Sequence, residues 1–209
     1  MILFRTHQDL NTVIEAANTS VILNTSQAYL AGVQVSATVV SAAIVVASGS
    51  ISTVTDAFTS AAHGYYTGLK LRATTSGALP TPLALATDYY VIVVDVNTIK
   101  LATSLANALA GTAIDITNVG SGNQTLTPVS ISGASYKLQH SADYDPRTGS
   151  GVWVDAVASE SNSVVTNTIT VTADSAASLI GVCYPYVRVN FAIAAGSVAL
   201  VVTSHTKSR

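Results

Sequence analysis

Short runs of apolar and β-branched residues, separated by turn residues, extend along the whole chain. Within residues 30–46, apolar and polar positions alternate most clearly from Val33 to Thr38. A period of two is typical of a strand with one face on a core and one polar face. The apolar run Tyr89–Val94 predicts a strand buried on both faces, and residues 95–98 predict a hairpin loop after it.

The same pattern predicts further strands at residues 21–23, 50–56, 99–102, 135–139, 152–157, 163–172, 184–191 and 197–203. Helix signals are weak. Residues 12–17 predict one or two turns behind Asn11, and residues 104–110 predict a short helix that ends at a left-handed Gly111. Neither is long enough to be stable without packing. The chain is therefore predicted to be all-β, with many short antiparallel strands arranged as in a sandwich or barrel.

Two clusters of small, flexible residues mark internal boundaries, Ala-Ser-Gly-Ser at 47–50 and Ser-Ile-Ser-Gly at 130–133. Such clusters fit a module inserted into a loop of a host domain. We expect a discontinuous host of residues 1–46 and 134–209, an antiparallel, jelly-roll-like β-sandwich. Residues 47–133 would then form a small inserted β-barrel. At about 120 residues, the host is large enough for a core of its own.

The composition and charge of the chain argue against several classes of function. The 209 residues are 49% hydrophobic and only 10% charged, against about 25% charged in a typical domain. The net charge of −2, with 9 basic residues, predicts no nucleic-acid partner, since such binders use basic clusters. Polar residues interrupt the most apolar stretch, 33–46, and the first nine residues lack a secretory signal. We therefore expect neither a membrane segment nor export.

The shortage of charge suggests surfaces that other molecules cover. Desolvating Ser, Thr and Ala costs little beside desolvating Lys or Glu, and a lone soluble domain usually carries more charge. The only cysteine, Cys183, is interpreted as a small buried apolar residue with no disulfide partner. A chain without disulfides suits assembly in a reducing cytoplasm.

Candidate chemistry is sparse. The four histidines, His7, His63, His140 and His205, show no metal-ligand spacing, and no Gly-x-Ser-x-Gly elbow is present. Residues 143–145, Asp-Tyr-Asp, lack the further acidic ligands of a calcium loop, so a plain polar loop is favoured. We expect no catalytic residue, no cofactor and no metal.

Residues 50–128 carry a distinctive order of turn and strand residues. The segment includes Ala-His-Gly-Tyr-Tyr-Thr-Gly-Leu-Lys-Leu at 62–71, Asp-Tyr-Tyr-Val-Ile at 88–92 and Gly-Ser-Gly-Asn-Gln-Thr-Leu at 120–126. It resembles a small β-barrel module that recurs in structural proteins of tailed bacteriophages. The resemblance implies no catalytic residue.

The flanking segments carry a second resemblance. Tyr-Lys-Leu-Gln-His-Ser-Ala-Asp at 136–143, Trp-Val-Asp at 153–155 and Tyr-Val-Arg-Val at 186–189 are similar to a β-sandwich of phage virion proteins. His140 stands where that pattern usually has a small residue, and the loop after Asp143 is longer. Trp153 is expected to anchor the host core. Arg188 is expected on the opposite face from Val187, where solvation or pairing within the chain is favoured over an interface.

These resemblances imply a non-enzymatic virion component of a tailed phage, assembled in the bacterial cytoplasm as a symmetric oligomer. Its partners would be copies of itself and other capsid or tail proteins. Without coiled coil or fibre repeats, a capsid decoration or head accessory protein is favoured over a tail fibre. A tail or head-to-tail connector component, such as an adaptor or tube-decorating protein, remains the alternative inside the particle.

A binding module for host-surface glycans is a further alternative. Tyr65 and Tyr66, together with Tyr89 and Tyr90, offer a possible aromatic platform for sugars. Packing of these tyrosines inside the inserted barrel is the favoured interpretation. A hydrolase is the weakest hypothesis.

Overall fold

The computed structural model describes residues 4–15, 19–24, 29–156, 158–160, 165–166, 169–171, 175–180 and 186–207. In this part of the chain, regular structure is almost entirely antiparallel β, which confirms the predicted all-β class. No helix among these residues is long and apolar enough to cross a membrane. The chain divides into two compact units: unit 1 comprises residues 1–39 and 131–209, and unit 2 comprises residues 40–130.

In chain order the first strands are β1 (Phe4–Ile14), β2 (Thr19–Asn24), β3 (Tyr29–Thr38), β4 (Ile44–Ala47), β5 (Ile51–Ser52), β6 (Ala57–Thr59), β7 (Lys70–Thr75), β8 (Asp88–Asp95) and β9 (Thr98–Ala102). After the helix α1 (Leu105–Leu109) come β10 (Asn123–Pro128), β11 (Ser135–Ser141), β12 (Val154–Asp155), β13 (Ala158–Glu160), β14 (Val165–Thr166), β15 (Ile169–Thr170), β16 (Ser175–Ile180), β17 (Tyr186–Ala192) and β18 (Val198–Lys207). A single 3-10 turn (Ser48–Ser50) joins β4 to β5.

Unit 1 is a sandwich of two antiparallel sheets. One has the order β1-β18-β3-β16-β13-β14, and the other has the order β12-β11-β17-β2, with β15 also paired to β11. Apolar side chains from both sheets meet in one core, which contains Ile14, Val35, Ala37, Ala134, Tyr136, Leu138, Ala156, Val171, Val187, Val189, Phe191, Ile193 and Val198. The predicted β-sandwich is therefore confirmed.

Strand periodicity explains this core. In β3, Val35 and Ala37 are buried, whereas Thr38 is exposed, as the alternation of the sequence predicts. In the other sheet Tyr136 lies opposite Phe191 in the β11–β17 register. Their rings stack, with centroids 6.2 Å apart and planes 8° apart, and fill the middle of the sandwich.

Unit 2 contains one seven-stranded sheet of order β4-β10-β7-β8-β9-β6-β5. Its two edge strands are joined directly, because β4 ends at Ala47 and β5 begins at Ile51. Four Cα–Cα steps span at most about 15 Å, whereas seven strands laid flat would span about 29 Å. The sheet must therefore curl until its edges come close, as in a small barrel.

The curled sheet of unit 2 encloses its own core, and β8 lies at the middle of the sheet. Tyr89 and Val91 point into that core, whereas Tyr90 and Ile92 lie on the other face, with Ala108 of α1 packed against them. The helix begins at Ser104, whose side chain accepts a hydrogen bond from the Asn107 amide. Residues 105–109 are thus helical and Gly111 is left-handed, with φ +74°, as predicted.

Three local predictions are wrong. The first concerns both domain boundaries. Residues 40–46 belong to unit 2 and not to the host, because β4 pairs with β10 and Val46 enters the unit 2 core. Residues 131–133 belong to unit 1 and not to the insert, and Ile131 packs against the unit 1 core. Residues 12–14 continue β1 instead of forming a helix, because they pair with β18. Residues 53–56 form the turn between β5 and β6 rather than strand. Cys183 lies outside the described residues.

The Tyr65 hydroxyl contacts three backbone groups on two segments of unit 2. Its hydroxyl accepts a hydrogen bond from the Ile44 amide at 3.1 Å, and it lies 2.9 Å from the carbonyl oxygens of both Ala42 and Leu126. Burial raises the pKa of this phenol to about 12. The neutral hydroxyl therefore bridges the β4 edge of the sheet and its neighbour β10.

We expect Tyr65→Phe to destabilise unit 2 by about 1–3 kcal/mol, since buried backbone groups lose their partner. Amide hydrogen exchange at Ile44, which donates to that hydroxyl, should accelerate markedly. The control is Tyr186→Phe in unit 1. The Tyr186 hydroxyl has no hydrogen-bond partner among the described residues, and its loss should leave exchange at Ile44 unchanged. Unchanged exchange at Ile44 in Tyr65→Phe would show that the bridge contributes nothing.

Candidate interaction surface

The tyrosines proposed as a glycan platform do not present an exposed aromatic face. Tyr65, Tyr89 and Tyr90 are only 6%, 5% and 8% exposed. Tyr66 is half-buried and packs against the core of unit 2. The structure thus brings Tyr65, Tyr89 and Tyr90 into the barrel as packing groups, and only part of the Tyr66 side chain is exposed.

A different cluster of aromatic and charged residues lies on unit 1, on the outer face of the β11–β17 pair. Because Tyr136 and Val187 point into the sandwich, the alternate positions of the same strands point outward. The outward residues are half-buried. They are Lys137, Gln139, Tyr186 and Arg188.

The loop between β11 and β12 packs over this outer face through its aromatic residues. The ring of Tyr144 meets that of Tyr186 edge to face, with centroids 5.1 Å apart. The ring of Trp153 lies 5.1 Å from that of Tyr144, and the Arg188 guanidinium carbon lies 4.3 Å from the Trp153 ring centroid. We call these four residues the aromatic–arginine cluster.

The predicted role of Trp153 as a core anchor is therefore wrong. Trp153 lies just before the short edge strand β12, outside the core of the sandwich, and it packs on Arg188 instead. Tyr136 and Phe191 fill the core in its place. Arg188 makes contacts within the chain, in agreement with the favoured interpretation of that residue.

Hydrogen bonds within the loop fix its course. One oxygen of the Asp143 carboxylate accepts from the Val152 amide at 3.0 Å and from the Ser141 hydroxyl at 2.9 Å. These bonds, first the one from Val152, lower the pKa of Asp143. A Cβ on Gly151 would approach the Tyr144 Cα to 2.6 Å, so only glycine permits this crossing of the two loop arms.

A chain of polar contacts lies under the aromatic rings. Arg188 donates from Nε to Gln139 Oε1 at 2.9 Å, and Gln139 donates from Nε2 to Asp155 Oδ1 at 2.7 Å. Lys137 Nζ lies 3.3 Å from the other carboxylate oxygen of Asp155. The bond from Gln139 is the main reason why the pKa of Asp155 is lowered. Desolvation lowers the pKa of Arg188, while Asp155 and Tyr144 oppose that shift.

This arrangement suits binding. Trp, Tyr and Arg are the residues that most often dominate the energy of protein interfaces, and here each is held in place by another. The described residues contain no group of three or more His, Cys, Asp or Glu side chains placed to hold a metal ion. The carboxylate of Asp143, considered as part of a calcium loop, instead bonds to its own loop.

Comparison with known proteins does not identify a family for this chain. No protein-family model matches the sequence, and no curated protein matches it. A solved structure entitled "Crystal structure of PBSX exported protein XepA" aligns over 98% of this chain and 86% of that chain, at 7% identity and a TM-score of 0.25. A likeness at that TM-score supports no conclusion about fold or function.

We expect acid to loosen the loop. The pKa of Asp143 is lower in the folded chain than in the unfolded chain. Its ionised carboxylate therefore stabilises the folded loop at pH values above the unfolded pKa of about 4, and this stabilisation is lost as pH falls through the folded pKa. The emission of Trp153, the only tryptophan, should stay constant from neutral pH down to about 4 and change below it.

The matched variants are Asp143→Asn, which should reduce the acid-induced change in emission, and Asp115→Asn at an exposed position in unit 2, which should not. An identical acid profile in Asp143→Asn and the unmodified chain would contradict the proposed link between the carboxylate and the loop.

Proposed function

We propose that this protein is a non-enzymatic structural component of a tailed-phage particle and that it acts by binding other particle proteins through the aromatic–arginine cluster. The observation that carries the proposal is the composition of that cluster: Trp153, Tyr144, Tyr186 and Arg188 lie half-buried on an outer sheet face. Half-buried aromatic and arginine side chains on a flat face are typical of protein interfaces.

Two features of the sequence support the location in a particle. Residues 50–128 and the segments at 136–143, 153–155 and 186–189 resemble phage structural modules, and only 10% of the residues are charged. A weakly charged surface is desolvated at low cost when neighbouring subunits cover it. Within the particle we favour a capsid decoration or head accessory protein that assembles as a symmetric oligomer.

Imaging of purified particles tests the location. We expect this chain in many copies spread over the shell, arranged by the symmetry of the capsid. A single ring of copies at one vertex or along the tail would overturn the decoration role and favour the connector or tail alternative. Absence of the chain from purified particles would contradict the proposal as a whole.

A further inference from the structure

Within the part of the chain that the structure describes, the Arg188 guanidinium does not use all of its hydrogen-bond donors. A guanidinium carries five N–H groups, and Arg188 uses Nε and one N–H of Nη2 on Gln139 Oε1. Among the described residues, no acceptor binds the remaining N–H groups, which lie at the end of the side chain. That free end has the geometry that a carboxylate bridges with two parallel hydrogen bonds.

The charge of Arg188 is also poorly neutralised by direct contact. Its hydrogen-bonded acceptor is the neutral Gln139 amide, and within the described residues no carboxylate lies in ion-pair distance of it. Asp155, the nearest acidic group in the network, gives one oxygen to Gln139 and the other to Lys137. Arg72 of unit 2 makes a useful contrast, because its Nε lies 2.6 Å from an oxygen of Asp88.

Apolar side chains lie beside Arg188. The Trp153 ring lies against its guanidinium, and Ile22 of β2, which is 39% exposed, lies directly opposite in the strand register. Such neighbours keep water away from part of the charge, which strengthens any hydrogen bond that a partner adds.

We propose that the free end of Arg188 binds a carboxylate side chain, Asp or Glu, of a protein partner that docks on the outer face of the β11–β17 pair. The choice of a protein as the partner rests on the proposed function. The geometry favours a protein over an acidic sugar. Arg188 lies over the Trp153 ring, and the Tyr144 ring packs 5.1 Å from it, so a sugar would have to compete with both side chains for that ring.

Two peptides that differ in one group test the proposal on the isolated full chain: acetyl-Ala-Glu-Ala-amide and its neutral counterpart acetyl-Ala-Gln-Ala-amide. The readout is the NMR shift of the Arg188 Nε–H and Trp153 indole N–H signals. We expect the Glu peptide to shift both signals saturably and the Gln peptide to bind at least about fivefold more weakly, since charge-assisted bonds are roughly twice as strong as neutral ones.

Arg188→Lys should reduce the preference for the Glu peptide, because an ammonium keeps the positive charge but cannot present the two-pronged edge. Arg72→Lys, the same change at an arginine that already has its carboxylate, should retain it. Equal binding of both peptides by the unmodified chain, or no shift at all, would overturn the proposal even if Arg188→Lys failed to fold. Tighter binding of glucuronate than of the Glu peptide at these signals would overturn the choice of a protein partner.

These outcomes do not depend on where the chain is found. A chain absent from particles that still prefers the Glu peptide would refute the proposed function and leave the carboxylate site standing. A chain that is present in particles but does not prefer the Glu peptide would refute the carboxylate site and leave the proposed function standing.

Discussion

Pairing of backbone groups across antiparallel strands is the constraint on which this protein depends. A chain with 10% charged residues and no strong helix has few other ways to satisfy its buried amides and carbonyls. Unit 1 meets the constraint with two sheets packed face to face, and unit 2 meets it by curling one sheet until its edges come close. In unit 2, Tyr65 pairs backbone groups at the edge of the curled sheet, because its hydroxyl bonds to the two neighbouring segments there.

The same constraint creates the candidate interaction surface. A strand that points Tyr136 and Leu138 into a core must point Lys137 and Gln139 away from it. The loop between β11 and β12, which the hydrogen bonds of Asp143 hold together, packs its aromatic rings against that outward face. The result is a second, smaller layer of packing that leaves Arg188 partly desolvated and only partly paired.

Local pattern predicted much of the fold. Alternation in the sequence correctly predicted Val35 and Ala37 as inward residues of β3, and Ser104 and Gly111 marked the ends of α1. Predictions failed where distant pairing decides the outcome. The local pattern of residues 12–14 is compatible with a helix. These residues form a strand because they pair with β18, which lies nearly two hundred positions later in the sequence. The assignment of residues 40–46 to unit 2 likewise depends on β10.

The candidate site was only partly predictable. The spacing of Tyr186 and Arg188 already places both on one face of a strand, and the contrast with Val187 indicates the outer one. For Trp153 no such rule applies, because it lies in a loop before a strand of only two residues. For Tyr65 the sequence favoured packing over a surface role, but its hydroxyl partners Ile44 and Leu126 lie far away in the sequence and could not be predicted from the local pattern.

We propose that a neighbouring protein covers the aromatic–arginine cluster when this protein is assembled. Hydroxyl-radical footprinting with mass spectrometry measures this directly by comparing the oxidation of Trp153 and Tyr144 in the isolated chain and in purified particles. We expect strong protection of both residues in the particle, with the exposed Val54 of unit 2 as an internal reference. Oxidation of Trp153 and Tyr144 at the same rate in both states would contradict it.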